Sequence, residues 1–188
     1  MKFTPRKIPT PQNLANVALH YLGRYAASEA SLRRVLHNRI RRAARDNPDF
    51  AADTERQNSL RSTIETIIET HKRTGIINDA VFAETKINSL RRAGRSRRAI
   101  QQKLAVKGIT SSIVAAALRQ HADGDEADEV EFKAALALAR RRKLGPFRKN
   151  PADEDRRRKD FAALARAGFS SAIAKRVLQT ETTEDWQE

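Results

Sequence analysis

Cysteine is absent from the 188 residues, so neither a disulfide framework nor thiolate chemistry is open to the chain. Glycine and proline are scarce, at seven and six residues, and six of the seven glycines fall at predicted helix edges, Gly23 being the exception. Strand-like alternation is missing, so the reading is all-α. Aromatic residues make up 5%, too few for one thick aromatic core; small modules packed on Ala, Leu and Ile fit better. No apolar run approaches the length of a membrane-spanning helix. The stretch Met1 to Pro11 carries no apolar signal core, so the expected compartment is the cytoplasm. Acidic residues are outnumbered, 23 against 37 basic, leaving a net charge of +14. That balance favours an anionic partner such as nucleic acid or an acidic protein surface.

The machinery of catalysis is missing too. No glycine loop has the spacing that cradles a phosphate, and Gly94-Arg95-Ser96 is too short to be one. His20, His37, His71 and His121 are scattered one per helix, none with a partner at metal-ligand spacing. Carboxylates sit on helix faces or at helix starts, and no nucleophile has a base beside it. The chain is therefore read as a non-enzyme, without cofactor or metal.

What is present is organised around Gly75 to Leu118. Three short one-sided helices are predicted there, capped by Asn78 or Asp79, by Ser96, and by Thr110 or Ser111. Gly94 and Gly108 stop the first two. Phe82, Ala83, Ile87 and Leu90 share a face of the first; Ile100 and Leu104 of the second; Ile113, Val114, Ala117 and Leu118 of the third. Helices this short do not stand alone in water, but three together close a module.

The module repeats. Shifted by 60 residues, Gly108-Ile109-Thr110-Ser111 meets Gly168-Phe169-Ser170-Ser171, and Leu104 and Leu118 meet Leu164 and Leu178. Shifted by 68, Ser28, Leu32 and Leu36 meet Ser96, Ile100 and Leu104. The predicted organisation is a mobile basic arm over 1–10, an expanded three-helix repeat over 11–75, a second over 76–122, a third over 123–180 with an acidic start, and an acidic tail over 181–188. In the first repeat a helix over 11–25 carries Leu14, Ala18, Leu22 and Tyr25. The next, from Ser28 to Asp46, carries Leu32, Leu36, Ile40 and Ala43. A polar connection through Asp53 and Glu55 leads to a third with Leu60, Ile64, Ile67, Ile68 and His71 inward. The helix after the acidic patch Asp123 to Glu131 is apolar on two sides, as if sandwiched between modules. The helix that Asp153 starts puts Phe161, Leu164 and Ala165 inside, and the one that Ser170 caps puts Ile173, Val177 and Leu178 inside.

Basic residues gather in three groups. Arg34, Arg41 and Arg45 project together from one helix. Arg91, Arg92, Arg95, Arg97 and Arg98 surround a turn, Arg91 pointing away from the apolar stripe. Arg140, Arg141, Arg142 and Lys143, with Arg156, Arg157, Arg158 and Lys159, form the third. Arginine predominates, and its planar fork suits phosphate or carboxylate. These residues are the candidate contacts. An independent helical DNA-binding protein, of repressor or nucleoid type, and a tRNA- or ribosome-associated factor would share this charge.

A set of short motifs occurs in order: Ser28-Glu29 with Leu32 and Leu36; Gly75-Ile76-Ile77-Asn78-Asp79 then Phe82-Ala83; Arg91-Arg92 and Gly94; Ile100, Leu104 and Gly108-Ile109; and Arg166-Ala167-Gly168-Phe169-Ser170. Across residues 14–178 this set resembles the RecX family, bacterial regulators of the recombinase RecA. Asn78, where the family tends to an acid, Ala167, and the long first-repeat connection depart from the pattern. The resemblance implies tandem three-helix repeats in an elongated, curved array. It also implies binding along the groove of the RecA–DNA filament, modulation of recombination that is usually inhibition, and no catalysis. The partners expected are the RecA filament and single- or double-stranded DNA held by charge, with no membrane, and the chain acting as a monomer.

Overall fold

Side-chain caps start the helices where small polar residues precede an apolar period. The computed structural model describes residues 6–121, 125–148 and 153–180, and among them every regular element is helical. Helix α1 (Pro11–Leu22) begins where Thr10 Oγ1 accepts the Asn13 N–H at 3.2 Å, and α2 (Glu29–Asp46) where Ser28 Oγ accepts that of Ser31 at 3.2 Å. After the five-residue α3 (Pro48–Ala52), Asp53 caps α4 (Thr54–Arg73). Asn78 caps α5 (Asp79–Arg92), Ser96 caps α6 (Arg97–Val106) and Thr110 caps α7 (Ser111–His121). Helix α8 (Asp125–Arg142) runs into a 3₁₀ turn at Gly145–Phe147. Asp153 then caps α9 (Glu154–Arg166) and Ser170 caps α10 (Ser171–Gln179). Each such cap contributes about 1 kcal/mol.

The chain divides into two compact units. The first holds the residues up to Phe82 together with Lys107–Ile109; the second holds Ala83–Val106 and the residues from Thr110 onward.

In the first unit α2 and α4 face each other across Leu32, Leu36, Ile40, Ala43, Leu60, Ile64 and Ile68. Leu14 and Ala18 of α1 close one side of this core. Three expectations need correction. Helix α1 ends at Leu22 rather than at 25, because Gly23 closes its last turn onto Leu19 O, and Tyr25 is left exposed. The connection before α4 is not merely polar: it folds as α3 and drives Phe50 into the core, 2% exposed. Burying that ring contributes about 1.5 to 3 kcal/mol, enough to hold five residues of helix in place. The basic arm is docked from Arg6 onward, where Arg6 pairs with Asp46 at 3.1 Å, Asn47 Nδ2 donates to Arg6 O at 2.8 Å and Pro9 is buried. Residues 1–5, Asp123 and Gly124 of the acidic patch, and the acidic tail with Trp186 lie outside the described residues.

In the second unit α8 is the central element. Phe132, Ala134, Ala135, Leu136, Leu138 and Ala139 are all buried in it, against Leu164, Phe169, Ile173, Ala174 and Val177. The small residues let backbones approach closely: a Cβ on Gly94 would stand 2.7 Å from Leu138 N. Ala165, expected inside, is exposed, and the buried residue on that helix besides Leu164 is Asp160. Asp160 accepts the Gly145 N–H at 2.8 Å and Arg148 Nε at 2.7 Å. Burial acts to raise its carboxyl, but Arg148 and the Gly145 amide outweigh it and hold it below the usual carboxylate range.

Both units contain the same corner joint. In the first, the Ser28 hydroxyl that caps α2 donates to Lys107 O at 2.6 Å, the Glu29 N–H donates to Asp79 Oδ1 at 2.9 Å, and Gly108 sits against Ala30, whose Cβ any side chain there would overlap. In the second, the Ser96 hydroxyl that caps α6 donates to Ala167 O at 2.7 Å, the Arg97 N–H donates to Glu131 Oε1 at 2.9 Å, and Gly168 sits against Arg98. Gly108 and Gly168 hold φ of +78° and +92°, a conformation glycine takes without a Cβ penalty. The serines and glycines that reveal the repeat in the sequence are thus partners in space. Both serines are fully buried, so each hydroxyl needs its carbonyl. Ser96→Ala is expected to destabilise the second unit by about 2 kcal/mol, from a lost cap and an unmet buried carbonyl. A urea titration followed by circular dichroism measures it, and an unchanged midpoint would mean that water replaces the hydroxyl.

The two acids of these joints differ in surroundings. Burial pushes the Asp79 carboxyl up, with the Glu29 carboxylate adding to it, against the Glu29 amide, Lys72 and Arg33. Arg33 binds both Glu29 and Glu65 at 2.7 Å. A carboxyl raised in the folded state binds its proton more readily there, so its burial cost is fully present above the folded pKa and vanishes below the unfolded one. Asp79→Asn keeps an oxygen for the Glu29 N–H. It is therefore expected to melt at or above the wild-type temperature at pH 7, with the gap closing toward pH 4. Thermal melts across that range check it, and a variant less stable at pH 7 would reverse the sign.

Candidate partner-binding surface

The first basic group lies on α2 in the first unit. Arg34 and Arg41 line a groove of about 340 Å³ between α2 and α4, and Arg61 of α4 enters it from the other wall. Arg41 is held by Asn38 Oδ1. Arg61 is held by Asn58 Oδ1 at 2.7 Å and Gln57 Oε1 at 3.2 Å. Arg45 does not line the groove; it stands 70% exposed with Nε 3.3 Å from Asp46 Oδ1. His37 also lines the groove. Burial lowers its imidazole pKa, with Arg61 and Arg33 adding, against the pull of Glu65 3.9 Å away. Sequence reasoning missed Arg61: it lies twenty residues from Arg41 on another helix, and only the α2–α4 packing brings the two together.

The second group splits. Arg91 does not point into solvent. Its side chain is 16% exposed and pairs with Glu131, itself 14% exposed, which also caps the start of α6 through the Arg97 N–H. Arg91 follows the fully buried Ala83 and Ile87 at helical spacing, so it borders the apolar stripe rather than pointing away from it, and Glu131 of α8 meets it there. Arg92, Arg97 and Arg98 are exposed and Arg95 half-exposed, and none of their four guanidinium groups pairs with a carboxylate among the described residues.

The third group splits as well. The Arg141 guanidinium reaches back to Ala93 O at 2.9 Å, which brings the end of α8 beside the end of α5 and so beside the second group. Arg140, Arg142 and Lys143 are exposed there. Arg156 and Arg158 instead pair within α9, with Asp153 at 3.7 Å and Glu154 at 3.6 Å. Pairs this exposed contribute little to stability, so their charge remains available. Arg157 and Lys159 are exposed on the same first turns of α9. Among the described residues no group of three or more His, Asp or Glu is placed to hold a metal ion, and no helix is long and apolar enough to cross a membrane.

Comparison with known proteins places this arrangement. A family model described as RecX, second three-helix domain, matches residues 78–118, which hold α5, α6 and most of α7. The chain is 43% identical over 178 residues to the regulatory protein RecX of Myxococcus xanthus, covering 94% of this chain and 89% of that one. It is 37% identical over 108 residues to the regulatory protein RecX of Agrobacterium fabrum, 57% of this chain and 54% of that one. The crystal structure of RecX from Lactobacillus salivarius superposes with a TM-score of 0.62 at 20% identity, over 90% of this chain and 94% of that one. The fold is accordingly the tandem helical-repeat fold of those structures. With identity of this order sustained over nearly the whole chain, the protein belongs to the RecX family of regulatory proteins.

Proposed function

We propose that this protein is a non-catalytic modulator of the recombinase RecA, an inhibitor that binds the RecA–DNA filament through its basic surfaces. The carrying observation is the 43% identity to a regulatory protein RecX over 94% of the chain. The four arginines around Gly94 whose guanidinium groups have no carboxylate partner among the described residues, with the end of α8 beside them, support a surface that meets phosphate or acidic side chains. The reading carries with it three repeats over 11–75, 76–122 and 123–180, a monomer, and a place in the cytoplasm. Substoichiometric protein is expected to lower the DNA-dependent ATPase of RecA. No effect on ATP turnover, filament length or strand exchange would sink the reading. Changing Arg92, Arg95 and Arg98 together to Ala is the companion variant, since Arg91 is committed to the fold.

A further inference from the structure

The described chain ends at Thr180. The segment 181–188 that follows carries Glu181, Glu184, Asp185 and Glu188 and no basic residue, in a chain of net charge +14. Where α10 ends decides what that segment meets first. Leu178, in the last turn of α10, packs directly on Gly145: a Cβ there would stand 2.6 Å from Leu178 Cδ2 and 3.5 Å from its Cα. Arg142, in the basic end of α8, precedes Gly145 closely enough that at most about 11 Å of backbone separates them. Several cations around this contact are already matched. Arg148 grips Asp160, and Arg156 and Arg158 pair with Asp153 and Glu154. Arg176 meets Glu129 at 2.7 Å and lies 3.8 Å over the Phe132 ring. Arg142, Lys143 and Lys175 are exposed, and none of their side chains pairs with a carboxylate among the described residues. Lys175 precedes Leu178 by one helical turn and so shares its side of α10. Lys143 holds φ +53°, the left-handed position that ends α8. Glycine takes that position without strain, so a lysine there brings its charge at a conformational cost.

We propose that the acidic segment 181–188 docks on the end of α8, with Glu181, Glu184 and Asp185 against Arg142, Lys143 and Lys175, and so covers part of the basic surface from within the chain. A segment of this length spans up to roughly 26 to 29 Å, more than the short path from Thr180 through the Leu178–Gly145 contact to Arg142 requires. Exposed ion pairs are weak singly, but a short tether holds the segment at a local concentration on the order of millimolar. Trp186 adds an indole face on which a guanidinium such as that of Arg142 stacks. An external anion must displace the segment before it meets the end of α8. Docking of this kind is a property of the second unit alone, and no recombinase enters its test.

Trp186 is the only tryptophan in the chain, so tryptophan fluorescence reports the segment alone. The test measures its quenching by acrylamide, an uncharged quencher, in the full chain. At about 0.1 M salt the indole is expected to be protected, with a quenching constant about half that at about 1 M, where the Debye length shrinks from roughly 10 Å to 3 Å. Arg142→Ala with Lys143→Gly is expected to raise the low-salt constant about twofold, to the high-salt value. The glycine relieves the backbone at that turn, so the variant folds. Arg39→Ala with Arg73→Ala, which removes two exposed arginines of the first unit, is expected to leave the constant unchanged. A wild-type constant independent of salt would mean that the segment stays in solvent, and the proposal falls. Equal increases in both doubles would overturn it too, because net charge rather than the end of α8 would then hold the segment. So would a constant that drops as protein concentration rises, since the segment would sit on a second copy. Poly-L-glutamate at fixed ionic strength is expected to expose Trp186 in the wild type. An indole that stays protected against it would be held by apolar burial, which likewise refutes docking by charge.

Discussion

Glu131→Ala is expected to destabilise the second unit by about 4 kcal/mol. The carboxylate serves two partners: it pairs with Arg91 and accepts the first amide of α6 at 2.9 and 3.1 Å from its two oxygens. Truncation leaves a guanidinium mostly out of water, and its Nε already lacks a partner. Removing one member of a buried pair costs about 3 to 5 kcal/mol because the other charge stays behind. Arg91→Ala should cost less, since Glu131 retains the Arg97 amide. The double change to a well-packed Met–Met pair should restore most of the loss, because no charge is then stranded. Urea unfolding of the three variants gives the ranking. Equal effects of Glu131→Ala and Arg91→Ala, both under 1 kcal/mol, would mean that the pair is in effect solvated.

Gly94→Ala is the second large effect, again about 4 kcal/mol. Two costs add there. A non-glycine residue at φ +66° pays roughly 1 to 2 kcal/mol. The new methyl would also stand 2.7 Å from Leu138 N and 3.0 Å from Ala134 O, both backbone atoms of a buried helix that cannot rotate aside. Overpacking of this kind costs about 1 to 3 kcal/mol more. Gly75→Ala separates the two, for Gly75 has φ +75° but nothing within 4 Å of the added carbon. It should show the conformational cost alone. Comparable melting temperatures for the two alanine variants would mean that α8 moves away freely from the α5–α6 turn.

Local chemistry is what the sequence made readable. Thr10, Ser28, Asn78, Ser96, Asp153 and Ser170 each cap a helix as the pattern predicts, because a cap is decided within four residues. The buried stripes Leu32-Leu36-Ile40 and Ile100-Leu104 follow from helical period alone. Several of the misreadings involve partners distant in sequence, whereas the early end of α1 is local, set by Gly23 closing onto Leu19 O. Helix α3 has no period to detect in five residues, and only the α2–α4 crevice makes Phe50 a core residue. Asp160 follows a run of basic residues and reads as surface, until Arg148 and Gly145 fold over it. Arg91 and Arg61 exchanged roles for the same reason. The first was read as a candidate contact and met Glu131 forty residues on; the second was not singled out and lines the groove. Charge composition alone does not say which arginines the fold uses internally.

The corner joints also set an order in time. Each donating serine is translated well before the carbonyl it binds: 79 residues separate Ser28 from Lys107, and 71 separate Ser96 from Ala167. At about 5 to 20 residues per second, the start of α2 waits roughly 4 to 16 s on the ribosome for its partner strand of sequence to be made. During that interval the Ser28 hydroxyl, the Glu29 amide and the face of Ala30 remain open to water or to a chaperone. A nascent chain halted between Phe82 and Lys107 would hold α1 to α4 of the first unit and still lack the Lys107 side of its joint, so its α2 amides should exchange hydrogen faster than those of the finished protein.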